Sequence, residues 1–377
     1  MTDTHIPVLQ PCIGQEEIDA VADVLRSGWL GLGPRTEQFE QQFSTYTGSR
    51  FTIALNSGTA ALHLALEALG VGPGDEVIVP SLTFISTVHA VRYVGATPVF
   101  ADSEPGSMNI TAEEIARKAT RRTKAAIVVH LAGHPCDMDA IHAAADQLGI
   151  KVVEDAAHAC GAAYKGKPIG SVSMLTCFSF HAVKNLTCGE GGAITCKEEW
   201  LARRFREKRW VGISRDTWIR SSAEQVYAWQ YFVDQLGYKY HMNDVQAAIG
   251  LVQLQKLQRM NGRRRQVAEA YTDALRDIDW LELPVEPSFA TSSWHLYQVK
   301  LPGEQERDRL IGHFQQRNIA TGVHYYPCHL HPYYIHGKAE VPVASALWKR
   351  ILSLPIHANM TDDDVERVID GVRQFQP

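Results

Sequence analysis

The sequence lacks the features that mark membrane, secreted and nucleic-acid-binding proteins. No uninterrupted apolar run is long enough to cross a bilayer, and the first five residues show neither a basic nor an apolar signal pattern. The seven cysteines are scattered, odd in number and free of C-x-x-C pairs, so we expect reduced thiols rather than a disulfide framework. A formal net charge of -5 argues against a general affinity for nucleic acid. These absences favour a cytoplasmic protein without a membrane or nucleic-acid partner.

Common nucleotide and metal signatures are missing as well. The turn at residues 56–58 is followed by no Gly-Lys-Ser/Thr of a Walker sequence, and no G-x-G-x-x-G fingerprint occupies it. His329 and His331 form an H-x-H pair without a carboxylate cluster, which is a poor metal signal, so we expect no metal site. The chain also has no repeat, low-complexity tract or flexible linker.

What is present is an alternation of apolar runs and helical patterns. With 377 residues, of which 45% are hydrophobic, the chain can bury a large core and is expected to form two lobes. The predicted strands cover residues 76–80, 98–102, 126–131, 152–156, 176–180, 193–196 and, later, 296–301. The predicted helices cover residues 60–69, 112–120, 138–148 and 245–257. This order is typical of a wound α/β sheet followed by an α+β region.

One lysine stands out because of its position after a strand. Lys184 follows the run 176–180 and precedes the glycines at 189, 191 and 192. A lysine at the end of a strand, in apolar surroundings, loses its proton more easily than one in water. A neutral amine of this kind can form an imine with an aldehyde such as pyridoxal 5'-phosphate (PLP). Most loop lysines are simply solvated, and on Lys184 alone that alternative stays open.

A carboxylate ends another predicted strand. Asp155 closes the apolar run that begins at residue 152, and ligands of open α/β sheets bind beyond the carboxyl ends of the strands. There it could pair with a protonated pyridine nitrogen and keep the ring an electron sink. The alternative is that Asp155 caps a following helix.

A third segment could hold a phosphate. A strand turns at residues 56–58 into an Ala- and Leu-rich helix, where Gly58 lets a backbone amide approach an oxyanion and Thr59 adds a hydroxyl. An ordinary helix N-cap is the alternative for this segment taken alone.

In this order the three segments resemble a PLP enzyme of the aspartate-aminotransferase fold, and more closely the DegT/StrS-type nucleotide-sugar aminotransferases. The resemblance covers nearly the whole chain and includes residues 57–62, 74–84, 154–159, 178–192, 237–248, 294–297 and 360–365. It implies an α/β PLP-dependent transferase of fold type I, with a mostly parallel central sheet wrapped by helices. Residues 15–250 would form the large PLP-binding domain and residues 251–377 a smaller α+β domain, with residues 1–14 packed on it.

The resemblance also implies roles for individual residues. Lys184 would be the Schiff-base lysine and proton carrier, and Asp155 would hold the pyridinium proton. Hydroxyls of Ser179 and Thr59, with the Gly58 and Thr59 amides, would bind the phosphate. Phe84 matches the aromatic that stacks on the ring, although a core phenylalanine is an equal alternative. His158 matches the position near the ring hydroxyl, with a buried core histidine as the alternative.

Dimer and substrate residues follow from the same resemblance. In many relatives the position of Lys239 is an asparagine that reaches the neighbouring subunit's phosphate. Lys239 could bind the same cofactor phosphate as a point charge or lie near the substrate pyrophosphate, and either role implies a homodimer with shared sites. The segment 324–334 resembles the family's substrate-side segment and supplies His324, Tyr325 and His329 as substrate contacts. Val211 is a departure, since many close relatives carry histidine there.

The activity implied is transfer of an amino group from L-glutamate to a nucleotide-linked keto sugar, most simply an NDP-4-keto-6-deoxyhexose. A 3-keto sugar is the main alternative. A pyridoxamine-dependent sugar dehydratase of the same fold is another, but those relatives typically replace the lysine. A regulatory protein and an amino-acid desulfurase or lyase are less compatible with the motifs. The sequence does not identify the nucleotide or the stereochemistry of the sugar.

Overall fold

The computed structural model describes residues 5–213, 231–233, 235–335 and 339–377. Within these residues, the strands are β1 Phe51–Leu55, β2 Glu76–Pro80, β3 Thr97–Ala101, β4 Thr123–Val129, β5 Lys151–Asp155, β6 Ala163–Tyr164, β7 Lys167–Pro168, β8 Leu175–Ser179, β9 Gly192–Cys196, β10 Ala290–Thr291, β11 Tyr297–Lys300 and β12 Ile351–Leu354. Seven of them form the central sheet in the order β1-β9-β8-β5-β4-β2-β3. Only β9 runs antiparallel to its neighbours in that sheet.

The predicted mostly parallel α/β fold is confirmed. Every residue of β2 is buried, as expected for a parallel strand covered on both faces. β4 differs most from its prediction, since it begins at Thr123 rather than residue 126 and ends at Val129. Its early start follows from pairing, because Thr123 lies opposite Glu76 of β2. The chain then leaves the sheet through a short 3₁₀ turn at Leu131–Gly133.

Helices flank the sheet and build the C-terminal region. Those in the described chain are α1 Gln15–Ser27, α2 Pro34–Thr47, α3 Gly58–Ala68, α4 Ser86–Tyr93, α5 Ala112–Lys118, α6 Met138–Leu148, α7 Glu199–Arg209, α8 Asp244–Leu275, α9 Glu304–Gln315, α10 Pro342–Leu347 and α11 Asp362–Arg373. Helix α8 has 32 residues and extends far beyond the predicted 245–257. The boundary predicted near residue 250 therefore falls inside one continuous helix.

Three apolar clusters hold these elements together. Alternate residues of β1 and β2 face opposite sides of the sheet, so that Ile53 and Val79 join one cluster and Ala54 and Ile78 the other. The third cluster gathers the C-terminal half of α8, the β11–β12 pair and α11. Helix α8 supplies residues both to the second cluster and to the third, and so connects them.

The first described residues lie against the C-terminal region. Ile6 is buried in the third cluster, its N–H donates to the Asn318 carbonyl at 2.9 Å, and its own carbonyl accepts from the Ala320 N–H at 2.9 Å. Residues 1–4, which belong to the segment predicted to pack on the small domain, lie outside the described residues. No helix in the described part of the chain is long and apolar enough to cross a membrane.

Candidate active site

A cavity of about 490 Å³ opens at the carboxyl ends of the parallel strands. Asp155 reaches it from the end of β5 and Ser179 from the end of β8. The first turn of α3 and the loop after β2 complete this side. Nine of the predicted site residues line the cavity: Gly58, Thr59, Phe84, Asp155, His158, Ser179 and Lys184, together with His324 and Tyr325 from the substrate-side segment.

Lys184 lies on the irregular loop that follows β8 and is partly buried. Desolvation in the cavity lowers the pKa of its amine to about 8, and the charge of Asp155 opposes this only in part. Far more of this amine than of an ordinary lysine is therefore neutral near physiological pH, as a nucleophile and proton acceptor requires.

Asp155 is almost completely buried, and its carboxylate has two hydrogen bonds. Thr87 Oγ1 donates to Oδ2 at 2.8 Å, and the Ala157 N–H donates to Oδ1 at 3.1 Å. Burial raises the pKa of this carboxyl, although both hydrogen bonds act to lower it. The helix-cap alternative fails, because residues 156–162 form turns and no helix begins there. A buried carboxylate facing a cavity is suited to hold a cationic partner.

The start of α3 forms a narrow cradle. Ser57 caps the helix, its Oγ accepting from the Ala60 N–H at 3.1 Å. Thr59 Oγ1 donates to Ser86 Oγ at 2.8 Å. A Cβ on Gly58 would lie 2.9 Å from the Cβ of Ser179, so a side chain there would crowd the cradle. The Ser57 cap does not exclude an anion site, since Gly58 and Thr59 at the helix start line the cavity and the first N–H groups of a helix suit a phosphate.

Aromatic residues form the outer wall. Phe84 is 55% exposed, so the core-phenylalanine alternative is wrong, and its ring centroid lies 5.9 Å from that of Tyr325. His158 is buried; its Nδ1 accepts from the Ala132 N–H at 3.3 Å and its Nε2 lies 2.9 Å from the Tyr325 hydroxyl. Burial, reinforced by the charge of Lys184, holds the pKa of His158 well below its usual value.

Two predicted residues lie outside the cavity of the single chain. Lys239 is exposed, with Nζ 3.3 Å from the centroid of the Trp210 ring. Its predicted reach into a neighbouring subunit stays a prediction. His329 is buried behind the cavity, where its Nδ1 lies 2.6 Å from Ser81 Oγ. A direct contact between His329 and a sugar is not supported by this position.

The sequence assigned no role to four residues that the structure brings to the site. Thr87 bonds Asp155 from the first turn of α4, three residues after Phe84, which precedes that helix. His295 lies in the noted motif at residues 294–297 and lines the cavity. His181 and Glu190 also line the cavity, and His181 Nε2 lies 3.7 Å from Glu190 Oε1.

Comparison with known proteins decides the family. The family model described as DegT/DnrJ/EryC1/StrS aminotransferase family matches residues 11–373. The chain belongs to this family. It is 44% identical over 378 residues to the spore coat polysaccharide biosynthesis protein SpsC of Bacillus subtilis, with 98% of this chain and 97% of that protein covered.

Solved structures agree with this assignment. The sugar aminotransferase Spr1654 from Streptococcus pneumoniae, described as putative and solved in its PMP form, superposes with a TM-score of 0.92 at 34% identity, covering 97% of this chain and 98% of that one. DesV of S. venezuelae superposes with a TM-score of 0.89 at 37% identity, covering 99% and 98%. Family members of this type are PLP-dependent sugar aminotransferases, and so is this chain.

The cavity fits the family's cofactor. The cradle at Gly58 and Ser179 would hold the phosphate, Asp155 the ring nitrogen and Lys184 the aldehyde carbon. When bound, PLP supplies an electron sink beside the amine-bearing carbon. The chain's own part would then be to hold a proton at the ring nitrogen through Asp155 and to move a proton through Lys184 Nζ.

Proposed function

We propose that the protein transfers the amino group of L-glutamate to the ketone of an NDP-4-keto-6-deoxyhexose, giving an NDP-amino sugar and 2-oxoglutarate. The observation that carries this proposal is the position of Lys184, an amine of lowered pKa in the same cavity as the buried Asp155. One site that accepts a small dicarboxylate and a large nucleotide sugar in turn would show ping-pong kinetics.

The polar wall supports a sugar acceptor. His181, His324 and Tyr325 line one cavity with Lys184, and their side chains can donate or accept hydrogen bonds. A hydroxyl-bearing ring needs several such groups that converge from different directions. The retained lysine supports transamination rather than the related dehydration.

We place the reaction in the cytoplasm, in the synthesis of amino sugars for surface polysaccharides such as lipopolysaccharide O-antigen. The support is the similarity to SpsC, which is a spore coat polysaccharide biosynthesis protein. The nucleotide, UDP, dTDP or GDP, is left to the assay.

The test is a panel of NDP-keto sugars incubated with enzyme, PLP and L-glutamate, with 2-oxoglutarate measured and the new nitrogen located by NMR. Amine at C4 with glutamate-dependent turnover supports the proposal, and Lys184→Ala serves as the inactive control. Amine at C3 would establish the alternative acceptor. Turnover with free amino acids only, or loss of water from the sugar without amination, would contradict the proposed reaction.

A further inference from the structure

The loop that carries Lys184 has little backbone support of its own. The Lys184 N–H donates to the His181 carbonyl at 2.9 Å, and the next backbone bond is that of Cys188 to Phe180 at 3.0 Å. Between them, the backbone of residues 185–187 makes no backbone–backbone hydrogen bond to another described residue. The position of the lysine must therefore depend on side-chain contacts of its neighbours.

The Asn185 side chain provides such contacts. It is 2% exposed, and its Nδ2 donates to the Ser293 carbonyl and to Asn261 Oδ1, each at 2.8 Å. Because a carbonyl can only accept, the Ser293 contact fixes which end of the amide is Nδ2. Oδ1 then faces His295 Nδ1 at 2.9 Å, so the histidine is the donor in that bond.

His295 continues the network into the cavity wall. Burial, together with the nearby His158 and Lys184, holds its pKa well below the usual value, so the ring is neutral with its proton on Nδ1. The ring centroid lies 4.3 Å from that of His158. A defined tautomer of His295 thus packs against a second fixed histidine.

The partners of Asn185 are themselves tied to the loop after β5. Asn261 of α8 donates through Nδ2 to the Cys160 carbonyl at 3.0 Å, and Ser293 Oγ donates to the His158 carbonyl at 2.8 Å. The network therefore joins three separate parts of the chain: the lysine loop, the loop that begins at Asp155, and the region after residue 260.

We propose that Asn185 is a positioning residue, which holds the Lys184 amine at its place in the cavity by tying the lysine loop to Asn261, Ser293 and His295. It touches no reacting atom itself. The inference rests on the assignment of Lys184 as the reactive amine and deepens the proposed function. If the hydrogen bonds of Asn185 are lost, the loop moves and the Lys184 amine gains access to water. The neutral form of the amine then becomes rarer near pH 7.

The test measures Lys184 in the apoprotein, without substrate. Limited reductive methylation from pH 6 to 11, with peptide mass analysis, gives the pH at which Lys184 is half as reactive as at its plateau. In the wild type we expect a midpoint near 8. In Asn185→Ala we expect the midpoint to rise by about one unit or more, which means roughly tenfold less neutral amine below the midpoint. Asn359→Ala removes an exposed asparagine bond to the Pro11 carbonyl and serves as the matched control, with the wild-type midpoint expected.

A purely structural role would change the melting temperature and leave the midpoint alone, and that result would overturn the proposal. If Asn185→Ala does not fold, a pair of variants at His295 tests the proposal instead. His295→Asn keeps a donor near the place of Nδ1 and His295→Leu does not, so only the leucine variant should raise the midpoint. Equal wild-type midpoints in both would also overturn the proposal. A failure to aminate any nucleotide sugar would contradict the proposed substrate while leaving this apoprotein measurement unaffected.

Discussion

Glu154 and Asp155 are neighbours on β5, yet at the scale of single residues their surroundings are opposite. Glu154 faces away from the cavity, where Oε2 lies 2.7 Å from His130 Nε2 and Oε1 accepts from the Ser173 N–H at 2.9 Å. Burial would raise the pKa of Glu154, but the hydrogen bond and charge of His130, together with hydrogen bonds from Ser173 and Thr176, outweigh it and lower the pKa. Strand alternation thus gives one carboxylate a structural ion pair and leaves the other for the cavity.

This contrast predicts a separation of stability from activity. Asp155→Asn should fold normally but lose activity by about 10²-fold or more, because an amide cannot hold the ring nitrogen's proton. Glu154→Gln should instead destabilise the fold by about 3 kcal/mol, because it leaves His130 without its buried counter-charge. Thermal melting and turnover of both variants provide the check. Near wild-type rates in Asp155→Asn would contradict the assignment of Asp155.

Lys184 carries the second prediction at this scale. Its pKa of about 8 means that the amine becomes neutral as the pH rises through 8, whereas an ordinary lysine does so only near 10.5. PLP capture by the apoprotein should therefore increase from pH 6.5 to 9 and then level off. Borohydride reduction and peptide mapping should place the pyridoxyl group on Lys184, with Lys197→Ala as a surface control. A tag on another lysine would refute the assignment.

At the scale of an element, the first turn of α3 depends on a glycine. Gly58 is needed for its lack of a side chain, since a Cβ there would lie 3.3 Å from the Phe178 carbonyl as well as against Ser179. Gly262, inside α8, has no atom within 4 Å of the corresponding position. The two helix glycines therefore differ in crowding.

We expect Gly58→Ala to weaken retention of PLP by about tenfold, because the cradle must widen and its amides retreat from the phosphate. Gly262→Ala is the matched control and should stabilise the protein by up to about 1 kcal/mol, the usual preference of a helix interior for alanine. Equilibrium dialysis of the cofactor and thermal melting measure the two effects. Unchanged cofactor affinity in Gly58→Ala would show that the phosphate binds elsewhere.

At the scale of the whole molecule, the exposed Lys239 bears on subunit assembly. The residue is exposed and bridges to Trp210, and exposed apolar side chains precede it in the sequence at Tyr231, Phe232 and Leu236. Such a surface suits a protein partner. The proposed homodimer would cover it and bring Lys239 to the neighbouring site.

Mixing inactive subunits tests that arrangement. Lys184→Ala should be inactive and Lys239→Ala weakened, while a mixed dimer should regain activity. The reason is that the mixed dimer contains one site that lacks both lysines and one intact site, in which one subunit supplies Lys184 and the other supplies Lys239. Activity and oligomeric mass are measured after mixing, with each variant alone as the control. An active monomer, or no gain on mixing, would contradict shared sites.

The sequence by itself determined the fold class and the order of the chemical groups. Apolar runs such as 76–80 predicted β2 to the residue, and the segments around Gly58, Asp155 and Lys184 indicated parts of a cofactor site that the family resemblance joined into one. These features are local, because strand burial and helix starts leave a pattern within a few residues.

Only the tertiary structure decided which residues support that cavity. The contacts of Asn185 with Asn261 and His295 join positions 76 and 110 residues apart, and only the fold shows that Phe84 is exposed. The full length of α8 was also missed, because its second half is held by packing against the C-terminal cluster rather than by a sharper sequence signal. Contacts between distant segments leave no periodic trace in one sequence, and they emerge only when the chain is folded.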